Sequence, residues 1–178
     1  MTSHANIISK GSSVTLCYMR PEYITDQYVG WLNDPDVVKY SNQRFQLHTL
    51  KSCMSYLNSF VDTTNYFLAI MENHSGVICG SITAYLNIYH NTADLGLMVG
   101  DRSLWGRGYG LEAWELLMRH LGTLKKVRKI TGGTLSCNIG MITIMERAGM
   151  KLEAVKKQQE LVGEVPMDMH YYAKFYGD

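Results

Sequence analysis

The feature that most constrains the fold is the glycine-rich segment Trp105-Gly106-Arg107-Gly108-Tyr109-Gly110, which joins a strand pattern to a helix pattern. Glycines at such a junction let the backbone turn tightly and approach a ligand closely. The free amides at the start of the following helix converge on one point, with the positive end of the helix dipole behind them. The segment therefore suits an anion such as a pyrophosphate, and Arg102 and Arg107 add positive charge nearby.

The spacing of these glycines differs from both the GxGxxG fingerprint and the GxxxxGK[ST] loop. A structural turn without a ligand is therefore an alternative. The segment follows three successive predicted strands and does not belong to a repeated βαβ unit, which argues against a dinucleotide-binding fold.

Periodic patterns predict one α/β domain over residues 1–178. Apolar alternation and short apolar runs predict strands at Val14–Met19, Tyr66–Glu72, Val77–Ile88, Ala93–Val99, Lys129–Leu135, Leu152–Leu161 and Met167–Phe175. Helical spacing predicts helices at Ile24–Leu32, Asp34–Tyr40, Leu50–Phe60, Leu111–Leu121 and Asn138–Arg147. Early hairpins and later helical connections imply three layers: a mixed, mostly antiparallel sheet of about six or seven strands with helices on both faces.

The composition bounds the classes of partner. The chain has 178 residues and a formal net charge of +1, so nothing in its overall charge favours nucleic-acid binding. No apolar run approaches the roughly 20 residues that span a bilayer, and the start lacks the pattern of a secretory signal. We therefore expect a cytoplasmic protein that binds neither nucleic acid nor membrane. Its oligomeric state, including a homodimer, is open.

The cysteines Cys17, Cys53, Cys79 and Cys137 lack the spacing of a metal site. We expect reduced thiols in the core and no bound metal. Cys137 differs from the others because it borders the end of a predicted strand next to the candidate site.

Two motifs make the chain resemble the GCN5-related N-acetyltransferase (GNAT) family. Gly108 and Gly110 match the family's Gln/Arg-x-x-Gly-x-Gly/Ala turn, which binds the pyrophosphate of coenzyme A, and Trp105 stands at its first position. A tryptophan there is typical of the branch that resembles ribosomal-protein N-acetyltransferases. Asn138 and Gly149 match the Asn-x-x-Ala-x-x-x-Tyr-x-x-x-Gly-Phe motif of the same family.

The second motif also departs from the family pattern. Met141 occupies the small position, with Gly140 one residue before it, and Met150 replaces the phenylalanine. Met145 stands where many members have the tyrosine that protonates the leaving thiolate. Because a thioether cannot donate a proton, another group or water must serve.

The resemblance covers Val14 to Phe175 and implies transfer of an acetyl group from acetyl-coenzyme A to an amine, by direct attack in a ternary complex. In this family two central strands splay apart around the pantetheine arm, and Gly132-Gly133 is compatible with a weakened strand there. The residues that the resemblance and the glycine turn together assign to the cofactor are Leu97, Met98, Val99, Arg102, Gly106, Arg107, Gly108, Tyr109, Gly110 and Asn138.

Asp94 is the candidate catalytic residue. An attacking amine must be neutral and therefore needs a base, directly or through water. Alternation places Asp94 on the face opposite Leu95 and Leu97, and family members often carry an acid on this strand. A structural hydrogen bond or a solvent-exposed charge near the strand end is the alternative.

The candidate acceptor residues lie in two loops. In the family, the loop that corresponds to Ser41–Thr49 borders the acceptor. In this chain, Arg44 would hold a phosphate or carboxylate, Phe45 would stack on a ring, and His48 would add a contact. His90, in the turn before the Asp94 strand, would bind the acceptor or relay a proton together with the adjacent tyrosine. Plain surface loops are the alternative for both.

Near the end of the chain, Tyr171 and Tyr172 are further candidates for lining the acceptor pocket. Because side chains alternate along a strand, at most one of them is expected to face the pocket.

Three functions stay open. Val37–Arg44, with the following His48-Thr49, is similar to family members associated with nucleotide-linked amino sugars of surface polysaccharides, which favours a small amine acceptor. Acetylation of a protein N-terminus is the second. A non-catalytic acyl-coenzyme A binding module is the third, because Met145 removes the usual acid.

Overall fold

An eight-stranded sheet forms the centre of the molecule. The computed structural model describes residues 7–125 and 127–177, so the predicted domain bounds 1–178 reach beyond the described residues at both ends. The strands are β1 Ile7–Lys10, β2 Val14–Tyr18, β3 Tyr66–Glu72, β4 Ile78–Asn87, β5 Thr92–Val99, β6 Lys129–Leu135, β7 Lys151–Val162 and β8 Val165–Phe175. The α-helices are α1 Asp26–Asn33, α2 Leu50–Asn58, α3 Tyr109–Arg119 and α4 Ile139–Arg147.

The sheet is mixed and mostly antiparallel, as the sequence predicts. Its strand order is β1-β2-β3-β4-β5-β6-β8-β7, and every neighbouring pair is antiparallel except β5 and β6. The number of strands exceeds the prediction by the short edge strand β1, whose four residues are only partly buried and carry little apolar periodicity.

The predicted helix at Asp34–Tyr40 is wrong. Asp34 is instead the C-cap of α1, and its carboxylate accepts a hydrogen bond from the amide of Asp36 at 2.9 Å. That side-chain bond favours a local turn over a continuing helix. The chain then makes one helical turn, closed by the amide of Val38 on the carbonyl of Asp34 at 3.1 Å, before it enters the loop at 41–49.

Helices cover both faces of the sheet. α3 and α4 pack on one face over a core that includes Leu68, Trp114 and Met145. α1 and α2 pack on the other face, against residues of β2, β3 and β4 such as Phe67 and Ala69. This arrangement follows the alternation of the strands, since neighbouring residues of β3 point to opposite faces.

A carboxylate fixes the position of α3 against the sheet. Glu112 accepts hydrogen bonds from the turn between β1 and β2: from the Ser12 hydroxyl at 2.7 Å, from the Ser13 amide at 2.9 Å and from the Val14 amide at 3.1 Å. A Cβ atom on Gly11 would meet the Glu112 carboxylate, which would then have to shift from its position beside the turn. The start of α3 is therefore held against the turn.

Cys17, Cys53 and Cys79 are buried free thiols, and Cys137 is half-buried. Within residues 7–125 and 127–177, no group of three or more His, Cys, Asp or Glu side chains is placed to hold a metal ion. No helix in the same part of the chain has the length and apolar character to cross a membrane.

Candidate active site

A gap opens in the sheet between β5 and β6. The two strands pair in parallel only from Thr92 with Lys129 to Leu95 with Gly132. Beyond that point β5 stays with β4 and β6 stays with β8, so the strands diverge. This is the splay that the family resemblance implies.

Two consecutive glycines of β6 lie where the splay begins, and each makes room on one face. A Cβ atom on Gly132 would lie 2.9 Å from the Trp114 ring and 3.2 Å from Sδ of Met145, on the α3 and α4 side. A Cβ atom on Gly133 would lie 3.1 Å from Cε1 of Tyr171, on the other side. The double glycine thus allows large side chains to pack closely against both faces of β6.

The glycine-rich turn leads into α3 with two residues in the left-handed region, Gly106 at φ 74° and Gly108 at φ 86°. Gly108 is the N-cap and provides no side-chain cap. The first intrahelical bond runs from Glu112 to the Gly108 carbonyl at 2.9 Å, so the amides of residues 109–111 precede it. No described residue accepts a hydrogen bond from these amides, and they fit the oxygens of a pyrophosphate.

Trp105 and Arg102 connect this turn to neighbouring elements. The Trp105 indole donates to the Val99 carbonyl at 2.8 Å, which ties the turn to the end of β5. Arg102 pairs with Asp36 at 2.7 Å and with Asp34 at 3.5 Å, so two carboxylates compensate its charge. Arg107 forms no ion pair with any described residue and is the cation available at the turn.

Gly110 lets α3 approach the splayed part of β5. A Cβ atom on Gly110 would lie 3.3 Å from Leu97, 3.3 Å from Val99 and 3.1 Å from Ile144 of α4. The side chains of Leu97 and Val99 therefore face the helices, while Met98 faces the α1 and α2 side. Any contact of Leu97 or Val99 with a cofactor in the gap would be made by the backbone.

Asn138 ends the β6–α4 connection as the N-cap of α4. Its side chain accepts from the Met141 amide at 3.3 Å and donates to the Thr134 hydroxyl at 3.0 Å. These bonds fix the side-chain amide beside the splayed part of β6.

Asp94 lies one residue before the last β5–β6 pair, on the face opposite α3. The Thr131 hydroxyl donates to Oδ1 of Asp94 at 2.6 Å, directly across the strands. Partial burial of the carboxyl raises the pKa of Asp94, and the bond from Thr131 lowers it. The pocket beside it has a volume of about 330 Å³ and is also lined by Tyr85 and Lys129. A carboxylate with a raised pKa beside a pocket has the chemistry to accept a proton from an amine bound there.

The loop at 41–49 is held in place by two sets of bonds. Asn33 donates to the His48 carbonyl at 2.9 Å and accepts from the His48 amide at 2.9 Å. The Arg44 guanidinium donates to the Ser41 carbonyl at 2.8 Å and to the Leu161 carbonyl at 2.9 Å. The loop therefore bridges from α1 to the tip of the β7–β8 hairpin.

Arg44 and Phe45 form a cation–aromatic pair within this loop. The guanidinium lies 4.3 Å from the ring centroid, and Phe45 is 71% exposed. Because the hairpin tip extends past the end of β6, the pair lies at the splayed end of the sheet.

His90 is not brought together with these residues. It lies in the β4–β5 turn, at the end of β5 away from the splay, where its backbone carbonyl accepts a hydrogen bond from Arg128 at 2.8 Å. The neighbouring Tyr89 is 88% exposed. The predicted acceptor residues thus divide between the two ends of β5.

Tyr171 and Tyr172 face opposite sides, as alternation requires. Tyr172 is buried in the α3 and α4 core, and its hydroxyl donates to Glu146 at 3.1 Å. Tyr171 lies on the face of Asp94, against Gly133. Sequence reasoning missed Thr131 and the placement of Tyr171, since both depend on the register between strands that are distant in the chain.

Comparison with known proteins identifies the family. No curated protein matches the chain. A Bacillus anthracis GNAT acetyltransferase shares 18% identity and a TM-score of 0.80, covering 94% of this chain and 97% of that one. The microcin C7 self-immunity acetyltransferase MccE, in complex with acetyl-CoA and AMP, shares 18% identity and a TM-score of 0.80, covering 93% of both chains. RimL, a ribosomal L7/L12 α-N-protein acetyltransferase in complex with coenzyme A, shares 15% identity and a TM-score of 0.83, covering 96% and 98%.

At these identities the structural likeness shows a shared fold. The acetyltransferase (GNAT) domain family matches residues 14–151, more than half of the chain. The matched range includes the glycine-rich turn, β5 and β6. The chain belongs to the GNAT acetyltransferase family.

Proposed function

We propose that the protein transfers the acetyl group of acetyl-coenzyme A to the primary amine of an anionic small molecule, and that this acceptor is a nucleotide-linked amino sugar. The observation that carries the transferase proposal is the coincidence of three features: the amides of residues 109–111, which have no acceptor among the described residues, the gap between β5 and β6, and Asp94 at the start of that gap.

Acetyl-coenzyme A fits the first two features. The amides of residues 109–111 and Arg107 would hold its pyrophosphate, and the gap would accept the pantetheine arm beside Asn138. Complexes of MccE with acetyl-CoA and of RimL with coenzyme A show that proteins of this fold bind such molecules. The bound donor supplies an activated thioester.

Asp94, which lies on the face of the sheet opposite α3, would then accept a proton from the attacking amine. Backbone amides near Leu97 and Met98, freed from pairing with β6 by the splay, would stabilise the charge on the acetyl oxygen. Oriented donors of this kind are suited to a charge that develops only during the reaction.

The charges on the acceptor side support an anionic acceptor. Arg44 lies at the splayed end, and Lys156 lies over Tyr171 on the same face as Asp94. Neither cation forms an ion pair within the described part of the chain. Phe45, largely exposed beside Arg44, would stack on a nucleobase. MccE, which was solved with AMP, supports this class of acceptor by analogy of fold.

The test compares Arg44→Ala with two control variants. Loss of a charge-assisted bond costs about 1.5–3 kcal/mol, so the KM for the acceptor should rise roughly ten- to a hundredfold while that for acetyl-coenzyme A stays unchanged. Arg107→Ala should raise the KM for acetyl-coenzyme A and leave the KM for the acceptor unchanged. Asn33→Ala loosens the loop without removing the guanidinium.

An equal rise of the acceptor KM in Asn33→Ala would show that loop order matters and not the Arg44 charge. If neither constant changes in Arg44→Ala, the anionic-acceptor proposal is wrong.

Protein N-terminal acetylation is the second candidate, because RimL shares the fold. Basic tails would meet the uncompensated Arg44 and Lys156, which makes this acceptor class less favourable. Turnover of basic peptides but not of nucleotide-linked amines would reverse the preference. Binding of acetyl-coenzyme A without turnover of any amine would indicate a non-catalytic module.

A further inference from the structure

The transfer reaction needs a proton for the leaving thiolate, and the usual donor is missing. Met145 occupies the position of the family's tyrosine, is fully buried in the α3 and α4 core, and has no proton to give. Breaking the carbon–sulfur bond leaves a negative charge on sulfur, which a nearby acid stabilises by protonation.

Tyr171 lies beside the splayed part of β6. It pairs with Gly133, the first residue of β6 beyond the last β5–β6 pair. The edge of its ring lies against Gly133, since a Cβ atom there would be 3.1 Å from Cε1 and 3.2 Å from Cδ1. A side chain on residue 133 would displace the ring, so the glycine allows a phenol to lie at the edge of the splay on the same face as Asp94.

The hydroxyl of Tyr171 is available for chemistry. It forms no hydrogen bond with any residue in the described part of the chain, unlike the hydroxyl of Tyr172, which is bonded to Glu146. The Lys156 ammonium lies 5.2 Å from the centroid of the Tyr171 ring. A positive charge therefore lies over the face of the phenol ring.

We propose that Tyr171 is the general acid of the reaction and takes over the role that Met145 cannot perform; this proposal rests on the proposed acetyl transfer through the β5–β6 gap. The amine nitrogen bonds to the acetyl carbon and the carbon–sulfur bond breaks. One proton passes from the nitrogen to Asp94, and one passes from the Tyr171 hydroxyl to the sulfur. Proton exchange with water restores both side chains, so the products are the acetylated amine and the free thiol.

The first experiment compares Tyr171→Phe with Tyr172→Phe by thiol release from acetyl-coenzyme A. Tyr171→Phe keeps the ring on Gly133 and should lower kcat by about 10²–10⁴-fold, the usual contribution of a general acid. Its affinity for acetyl-coenzyme A, measured by calorimetry, should not change. Tyr172→Phe removes a hydroxyl from the opposite face and should keep kcat within about twofold, because that hydroxyl faces the core.

The pH profile separates catalysis from packing. The wild-type rate should fall at high pH as the acid loses its proton, and Tyr171→Phe should lose this basic limb. Lys156→Gln should lower kcat less than Tyr171→Phe does, since the proton donor is kept. An unchanged kcat and an intact basic limb in a folded Tyr171→Phe protein overturn the proposal.

The proposal is separable from the choice of acceptor. The same variants are compared in the slow hydrolysis of acetyl-coenzyme A without an amine, because the thiolate must leave in that reaction as well. If wild type does not acetylate nucleotide-linked amino sugars, the proposed acceptor is wrong. The role of Tyr171 is then still tested by comparing the hydrolysis rates of wild type and Tyr171→Phe. Equal hydrolysis rates in wild type and Tyr171→Phe would overturn the role of Tyr171 alone.

Discussion

At the scale of single residues, the site depends on a contact between two strands. The Asp94 carboxylate receives a hydrogen bond from Thr131, which lies directly across the parallel β5–β6 pair. The bond orients the carboxylate one residue before the last pair that joins the two strands. Burial and this bond act on the pKa of Asp94 in opposite directions, and burial prevails.

Thr131→Val should therefore raise the pKa of Asp94 further, because it removes the contribution that lowers it. The proposed base acts only when deprotonated, so the acid limb of kcat/KM should move to higher pH, while Thr131→Ser should keep the wild-type profile. The pH dependence of acetyl transfer checks this. Asp94→Asn should lower the rate by about 10²–10⁴-fold.

An acid limb that keeps its position in Thr131→Val would belong to another group, such as the acceptor amine. An unchanged rate in Asp94→Asn at every pH would exclude Asp94 as the base.

Part of the site could be predicted at this scale and part could not. Asp94 could be singled out as a candidate because it interrupts an apolar alternation, and Gly108 because it precedes a helix; both stay predictions as site residues. Arg102 stays a predicted cofactor residue, and its ion pairs with Asp34 and Asp36 could not be foreseen, because they form only when the turns after α1 bring these carboxylates to the end of β5. Such a pairing depends on tertiary structure and leaves no local signal in the sequence.

At the scale of elements, the turn before α3 requires glycine for its conformation. Gly108 has φ 86°, and no atom lies within 4 Å of a Cβ atom built on it. A side chain at this position would therefore strain the backbone but would not collide with other residues. The space beside it is the space proposed for the pyrophosphate.

Gly108→Val should therefore weaken acetyl-coenzyme A binding by at least tenfold in calorimetry, since the side chain enters that space. Gly76→Val is the matched control, because Gly76 also has a positive φ, 69°, and open surroundings, but lies in the β3–β4 turn. Both variants should lose similar stability, and only the first should lose affinity. Tight binding by a folded Gly108→Val protein would place the cofactor elsewhere.

Glu112 links the stability of α3 to pH. Desolvation tends to raise the pKa of this carboxyl, but the hydrogen bonds from Ser12, Ser13 and Val14 outweigh it and hold the pKa below its ordinary value. A lowered folded-state pKa contributes stability that is present above the unfolded-state pKa and is lost as pH falls through the folded-state pKa.

Glu112→Gln should lower the free energy of unfolding by about 1–3 kcal/mol at neutral pH, because charge-assisted bonds are replaced by weaker ones. The difference from wild type should shrink below the unfolded glutamate pKa of about 4.3. Thermal melts over a range of pH measure this, with Glu115→Gln as a control on the same helix. A difference that does not depend on pH would mean that the carboxylate charge is not involved.

At the scale of the whole molecule, the sequence predicts the layers and most strands, because alternation and helical spacing report directly on which faces are buried. The β5–β6 pairing and the later crossing to β8 depend on contacts between distant segments, and no local pattern determines their register. The functional consequence is substantial, since register alone brings Thr131 to Asp94 and Tyr171 to Gly133. The family match explains why the order of elements could nevertheless be expected.

The measurement that tests the central claim most directly is acceptor-dependent thiol release from acetyl-coenzyme A, followed by mass spectrometry of the products. Nucleotide-linked amino sugars, uncharged amines and basic peptides are offered at equal concentration to the intact chain. We predict that the nucleotide-linked amino sugars gain one acetyl group on the amine, with an equal amount of thiol released. Thiol release that no amine accelerates, although acetyl-coenzyme A binds, would contradict the account.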